Sequence, residues 1–288
     1  MQFYIVDVFS KTRYGGNQLA VVFPDGDLSR EEMLQITREF NFSETTFVFP
    51  SSGDGIYPVR IFTPARELPF AGHPVLGTAY IINKIRAEGP RETIHLDLEV
   101  GRIPVDFSNG PDFPRLETVP PKFGIVYELP GIARTLNIDP EDIDRRFPVQ
   151  TVSAGFPFIL VPIKTLQSLR KARVISDEYE NLFGPSAQEV FYAFAPEARE
   201  KENDVHTRMF GHGVGITEDP ATGAAAGALC AYFLKHRYFK SDGFTKRLEQ
   251  GYEIGRPSLL HIEGIFADNQ FAIRVGGHVV EFARGELL

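Results

Sequence analysis

Gly223-Ala224-Ala225-Ala226-Gly227-Ala228-Leu229-Cys230-Ala231-Tyr232 repeats, late in the chain, the pattern of Gly72-His73-Pro74-Val75-Leu76-Gly77-Thr78-Ala79-Tyr80. Both runs open on glycine, continue in small and apolar residues and reach a tyrosine. Their flanks match as well. Arg60-Ile61-Phe62 precedes the first run and Arg208-Met209-Phe210 the second; Glu99-Val100-Gly101-Arg102 follows the first and Glu253-Ile254-Gly255-Arg256 the second. Three landmarks recurring in one order describe a duplicated half. Small residues all round a helix mark one that is buried and closely approached by backbone. The expected architecture is therefore α+β: two pseudo-symmetric domains, each a curled mixed or antiparallel sheet around one central helix. Related by a pseudo-twofold, two such helices would aim their N-termini, with unpaired N–H groups and partial positive charge, at the seam between the halves, where a small anion would be attracted.

The surroundings of the repeat divide the chain. Residues 3–8 and 18–23 read as strands joined at Gly15-Gly16-Asn17, and Ser29 with Glu32 forms a capping box before the stripe Met33, Ile36, Phe40. Strands are expected at 45–49 and 57–63, and Ile94, Leu96, Leu98 and Val100 alternate with polar residues as in a half-buried strand. The first helix carries Pro74 in its first turn, where the missing N–H costs nothing. Pro111 to Pro121 is proline-rich and marks the crossover. Gln150 to Pro162 then echoes the start of the chain. Helices are expected near 164–173, 177–183 and 223–236, with strands near 189–194, 204–210, 258–265, 270–275 and 278–283. The last strand is spare in the second half and is assigned to the first. This gives an N-terminal half over 1–118 with 277–288 returning to it, and a C-terminal half over 119–276.

Composition excludes several classes. The chain has 288 residues, 43% hydrophobic and 24% charged, with a net charge of −8 and no basic run, which argues against nucleic acid as a partner. No apolar run approaches the length of a membrane span, and the N-terminus reads as a strand and not a signal peptide; a cytoplasmic location is the expectation. One cysteine, Cys230, rules out an intrachain disulfide and reads as core packing. Gly211-His212-Gly213-Val214-Gly215 opens no helix and fails the dinucleotide spacing, and no Walker loop or nucleophile elbow appears. His206, His212, Glu218 and Asp219 match no metal signature. Neither a metal nor another cofactor is expected.

Three side chains stand out. Asp219 lies in Glu218-Asp219-Pro220-Ala221-Thr222-Gly223, directly before the second central helix. Capping by Thr222 or Asp219 would account for it; at the mouth of the seam it could also accept a hydrogen bond from a bound amine or hydroxyl. His73 follows Gly72 at the start of the first helix, where positive potential favours the neutral imidazole, able to donate and to accept. Glu44 stands just before an apolar strand, either as a solvated strand end or, lining the seam, as a partly buried carboxyl suited to acid–base work near neutral pH.

Taken together, these residues give a resemblance. Asp7-Val8-Phe9 with Gly16-Asn17, Ser43-Glu44-Thr45, Phe62-Thr63-Pro64, Ala71-Gly72-His73, Glu218 to Gly223 and Gly255-Arg256-Pro257-Ser258 resemble the phenazine-biosynthesis PhzF-like isomerases, within the diaminopimelate-epimerase-like fold, essentially end to end. The resemblance implies an active site in a cleft between two similar domains, and a glutamate, here Glu44, that moves a proton between carbons. It puts His73 and Asp219 beside the substrate and the backbone N–H groups of Gly72, Gly223 and Ala224 on its carboxylate, with Asn17 lining the site. The family often has serine where this chain has Ala224. Related epimerases use two cysteines at the helix starts, where this chain has His73 and Ala224; a two-thiol racemase is excluded.

The expected function is a cofactor-independent biosynthetic isomerase moving a proton on a small anionic metabolite, with no nucleic-acid or membrane partner. Homodimers, common in the family, are the assembly the resemblance suggests. The alternatives are a binding protein with the same cleft and no turnover, and a lyase or hydratase using the same base.

Overall fold

The computed structural model describes residues 1–51, 55–85, 89 and 91–288. By compactness the chain divides into one unit of Met1–Leu116 with Gly276–Leu288 and a second of Glu117–Val275.

The first unit contains β1 (Gln2–Val8), β2 (Asn17–Phe23), α1 (Arg30–Phe40), β3 (Glu44–Val48), β4 (Ile56–Phe62), the short β5 (Glu67–Leu68), α2 (Gly72–Ile85), β6 (Thr93–Leu98), β7 (Gly101–Asp106) and β8 (Arg115–Glu117). In the second follow β9 (Lys122–Val126), α3 (Leu129–Thr135), β10 (Gln150–Ser153), β11 (Pro157–Pro162), α4 (Leu166–Lys171), α5 (Ser176–Phe183), β12 (Phe191–Ala195), β13 (Val205–Gly211), β14 (Ile216–Asp219), α6 (Gly223–Lys235), β15 (Gly243–Gln250), β16 (Ser258–Ala267) and β17 (Gln270–Gly276). The chain ends in β18 (Val279–Glu286), which pairs antiparallel with β1.

Both units have mixed sheets with one pattern of pairing. In the first, β1–β2 is antiparallel, β2–β3 parallel, β3–β4 antiparallel, β4–β6 parallel and β6–β7 antiparallel. In the second, β10–β11, β11–β12, β12–β13, β13–β15 and β15–β16 run through the same alternation. The alternation follows from the connections. Antiparallel neighbours can be joined by a loop alone, whereas each parallel step needs a crossover, supplied by α1 and α2 in one unit and by α4, α5 and α6 in the other.

The central helices are α2 and α6. In α2 every residue from His73 to Asn83 is buried, and in α6 all from Gly223 to Leu234 except Ala224. Small residues allow this depth: a Cβ on Gly77 would come 2.7 Å from Leu19 Cδ2 and 2.9 Å from Val8 Cγ2. The smaller helix α1 is amphipathic, and its capping box is complete. The Ser29 hydroxyl accepts from Glu32 N–H at 3.2 Å while the Glu32 carboxylate accepts from Ser29 N–H at 2.9 Å. Met33 and Leu34 pack it on Val22, Phe47 and Phe62.

Several elements depart from the sequence reading. The strands β5, β7, β8, β9, β14 and β15 and the helix α3 lie outside the elements expected from the sequence. β15 is the largest omission. Its Lys246, Arg247, Glu249 and Gln250 hide the alternation that an apolar strand displays, because Glu249 and Gln250 are fully buried on partners distant in sequence.

Candidate active site

Glu44 opens β3, which lies parallel to β2 with Leu19 opposite Glu44. His73 is the second residue of α2. These elements bring Glu44 Oε2 to 3.4 Å from His73 Nε2, with side chains only 16% and 7% exposed. Burial pushes the His73 imidazole down to about 3, and a hydrogen bond with the Gln18 backbone works against that. A bond favouring the protonated ring is one the ring donates, so the Gln18 carbonyl accepts. Nε2 makes no hydrogen bond to the protein, which assigns the donated proton to Nδ1 and leaves Nε2 as a bare acceptor facing the Glu44 carboxyl. The direction is the one expected from the sequence, and desolvation is its main cause. Asn17, almost fully buried, precedes Gln18 on the same strand.

In the second unit Asp219 ends β14 and is 6% exposed. The turn Pro220–Thr222 carries the chain into α6, and the two capping readings can now be compared. Thr222 holds the N-cap position without a side-chain bond to the helix; its hydroxyl donates instead to Asp219 Oδ2. The Thr222 side chain therefore takes up none of the first N–H groups of α6. Gly72 heads α2 in the corresponding place, and its run of orphan N–H groups includes one removed by Pro74.

A strand pair braces each helix start. Arg60 on β4 donates to Glu67 on β5 at 2.6 and 2.8 Å, just before α2. Arg208 on β13 donates to Glu218 on β14 at 2.9 and 2.6 Å, just before α6.

The structure thus brings Glu44, His73 and Asn17 to one end of α2, and Asp219, Gly223 and Ala224 to one end of α6. Sequence reading missed Gln18, whose carbonyl sets the histidine tautomer, and Gln250, which bonds to the Asp219 turn. Gln250 lies three residues before the Glu253-Ile254-Gly255-Arg256 landmark, at the end of a strand whose polar residues hide it in the sequence. Among the described residues no group of three His, Cys, Asp or Glu side chains is placed to hold a metal ion, and no helix is long and apolar enough to cross a membrane. His206 is instead enclosed by Glu249 and Glu253.

Comparison with known proteins bears on the family and the fold. A family described as phenazine biosynthesis-like protein, PhzC-PhzF, matches residues 6–285. An uncharacterized isomerase of Mesorhizobium japonicum is 33% identical, over 99% of this chain and 98% of that protein. The trans-2,3-dihydro-3-hydroxyanthranilate isomerase of Pseudomonas chlororaphis is 32% identical, with 99% of each chain covered. The crystal structure of a Bacillus anthracis phenazine biosynthesis protein of the PhzF family superposes with a TM-score of 0.90 over 100% of this chain and 99% of that one; at 22% identity this speaks for the fold.

Proposed function

The chain belongs to the phenazine biosynthesis-like PhzF family and is an isomerase, and from that premise we propose that it moves one proton between carbons of a small, conjugated, carboxylate-bearing substrate held between its two units. The observation that carries the reading is the Glu44–His73 pair: a carboxyl oxygen facing an imidazole nitrogen at 3.4 Å, both largely withdrawn from water.

In the proposed reaction the Glu44 carboxylate removes a proton from carbon. The electron pair left behind delocalises toward the substrate carboxylate, where the N–H groups at the starts of α2 and α6 would stabilise it. Glu44 is now a carboxylic acid, and the bare Nε2 of His73 can accept its hydrogen bond. The acid, whose proton exchanges with solvent, then delivers a proton to another carbon of the conjugated system. One C–H bond is broken and one is formed, so substrate and product are isomers and the enzyme ends as it began. Asp219 would accept a hydrogen bond from a substrate amine or hydroxyl. Ala224 supplies no hydroxyl, so the carboxylate would rest on backbone donors at that position.

A dihydro-hydroxyanthranilate, the substrate class in the relatives' name, meets these requirements: a carboxylate, an amine, a hydroxyl and a ring along which charge can spread. The test uses trans-2,3-dihydro-3-hydroxyanthranilate in heavy water. Wild type should incorporate deuterium and convert the compound, and Glu44→Gln should lower both by at least about 10³-fold, near the upper part of the range for a lost general base. Wild-type exchange in Glu44→Gln would remove Glu44 from the role. Binding without exchange in the wild-type protein would favour a carrier over an enzyme for this compound.

A further inference from the structure

We infer that Gln250 is a positioning residue, whose side-chain amide locks the Asp219–Thr222 turn at the head of α6 and, through Thr222, aims the Asp219 carboxylate; this rests on the reading of Asp219 as a substrate contact. Gln250 ends β15 and is fully buried. Its Nε2 donates to the Asp219 carbonyl at 2.8 Å and to Thr222 Oγ1 at 3.0 Å. Its Oε1 accepts from the Thr222 N–H at 3.2 Å and lies 3.1 Å from the Tyr192 hydroxyl. Two acceptors face the nitrogen and the Thr222 N–H faces the oxygen, which fixes the orientation of the amide, while the Tyr192 hydroxyl shares its one proton between Gln250 and Thr207 Oγ1.

The chain of donors has a direction. Because Thr222 Oγ1 receives a proton from Gln250, its own proton is directed outward, and the acceptor it meets is Asp219 Oδ2. The Thr222 N–H is likewise taken by Gln250, which leaves the N–H groups of Gly223 and Ala224 as the ones the helix start presents. The backbone beyond Gln250 is pressed onto the same turn. Gly251 has φ +78°, and a Cβ there would come 2.6 Å from the Pro220 carbonyl oxygen and 2.3 Å from that of Arg256.

The duplication supplies an internal control. Aligning Arg60 with Arg208, and Gly72 with Gly223, the strand registers superimpose the two halves residue by residue. Pro58 pairs with Asp97 as His206 pairs with Glu249, so Leu98 stands where Gln250 does. Ile61 pairs with Leu68 as Met209 pairs with Asp219, so Leu68 stands where Asp219 does. Val59 takes the place of Thr207, and Ala71 that of Thr222. The first half builds the same strands and the same helix start on Leu98, Leu68, Val59 and Ala71. The fold therefore does not require the polar set of the second half. A buried polar network where an apolar one suffices gives orientation and not stability, and the group it orients is Asp219.

The test reads Asp219 without any ligand. Selective ¹³C labelling reports the Asp219 carboxyl, identified by the signal lost in Asp219→Asn. At pH 7 the near-isosteric Gln250→Met and the Thr222→Val variants should displace that signal in the same direction. The double variant should move it no further than the larger single change. Amide exchange at Thr222 should quicken at least about tenfold in Gln250→Met while β12 and β13 keep wild-type protection. On trans-2,3-dihydro-3-hydroxyanthranilate the same variant should lose at least about tenfold in kcat with KM within about threefold. An unmoved carboxyl signal, additive displacements, protection lost evenly across the sheet, or a Gln250→Met chain that fails to fold would each overturn the inference. If the wild type leaves this compound unchanged, the carboxyl and exchange measurements still decide the role of Gln250, while the proposed reaction fails on its own.

Discussion

In each half an arginine in mid-strand covers the phenylalanine two places on and grips a glutamate on the short strand beside it. Arg60 lies 5.2 Å from the Phe62 ring centre and Arg208 4.7 Å from that of Phe210. Their surroundings differ. The Arg60 side chain is 35% exposed and shares Glu67 with Arg30. Arg208 is 8% exposed and, besides Glu218, donates to the carbonyls of Leu169, Arg170 and Ala172 at the C-terminal end of α4. The duplication kept a contact and changed its medium. One pair is a surface brace; the other is a sealed junction that terminates a helix. Identical motifs therefore carry different energies, and burial decides which is larger.

Removing the buried arginine should separate the two halves most. Arg208→Met should destabilise by about 3–5 kcal/mol, because Glu218 is left buried without its cation and three carbonyls lose their donor. Chemical denaturation with an unchanged m-value would measure it. A cost below about 1 kcal/mol would show that the junction is wetter than its burial implies.

The two halves also differ in how a buried histidine responds to pH. His73 is held near 3 by burial, against about 6.5 in an unfolded chain. Between those values the unfolded chain binds a proton that the folded one refuses. The stability linked to His73 is complete above pH 6.5 and drains away as the pH falls toward 3. His206 has the opposite sign. Burial alone would lower it, but hydrogen bonds to Glu249 and Glu253 prevail and raise it. The folded chain keeps a proton that the unfolded one gives up, so this contribution is full below pH 6.5 and is lost as the pH rises through the folded value. Each slope is at most about 1.4 kcal/mol per pH unit. Thermal melts across pH 4–9 should show His73→Asn flattening the acid limb and His206→Gln the alkaline limb. Both variants flattening the same limb would contradict the assignment.

The smallest effect belongs to the exposed brace. Arg60→Met should cost less than about 1 kcal/mol, and added salt should shrink the difference from wild type further. Parity with Arg208→Met would erase the distinction drawn between the halves.

What the sequence disclosed and what it withheld follows the same division. Central helices were legible because close packing needs small residues at every face, a local demand written at Gly72–Tyr80 and Gly223–Tyr232. The capping box at Ser29 was legible for the same reason. β15 was not, since a strand whose buried residues include Glu249 and Gln250 is explained only by partners far along the chain. Glu44 and His73 could be nominated singly, but their meeting depends on β3 lying beside β2 and on α2 packing against both. Asp219 was visible as an acid before a helix; that Thr222 turns toward it, and not toward the helix, depends on Gln250.

The pairing of β18 with β1 bears on the order of synthesis. The second unit is one uninterrupted run of chain, whereas the first has its opening strand waiting for Val279–Glu286. As the protein emerges from the ribosome, β1 keeps one edge unpaired until the whole second unit has been made, and exposed edges invite misplaced pairing. In the finished protein the Met1 amine reaches the Leu287 carbonyl at 3.0 Å. The two ends of the chain could therefore be spliced by a short linker and reopened at the Asp268–Asn269 turn. Such a permuted chain would deliver β1 and β18 to one another as neighbours in time as well as in space.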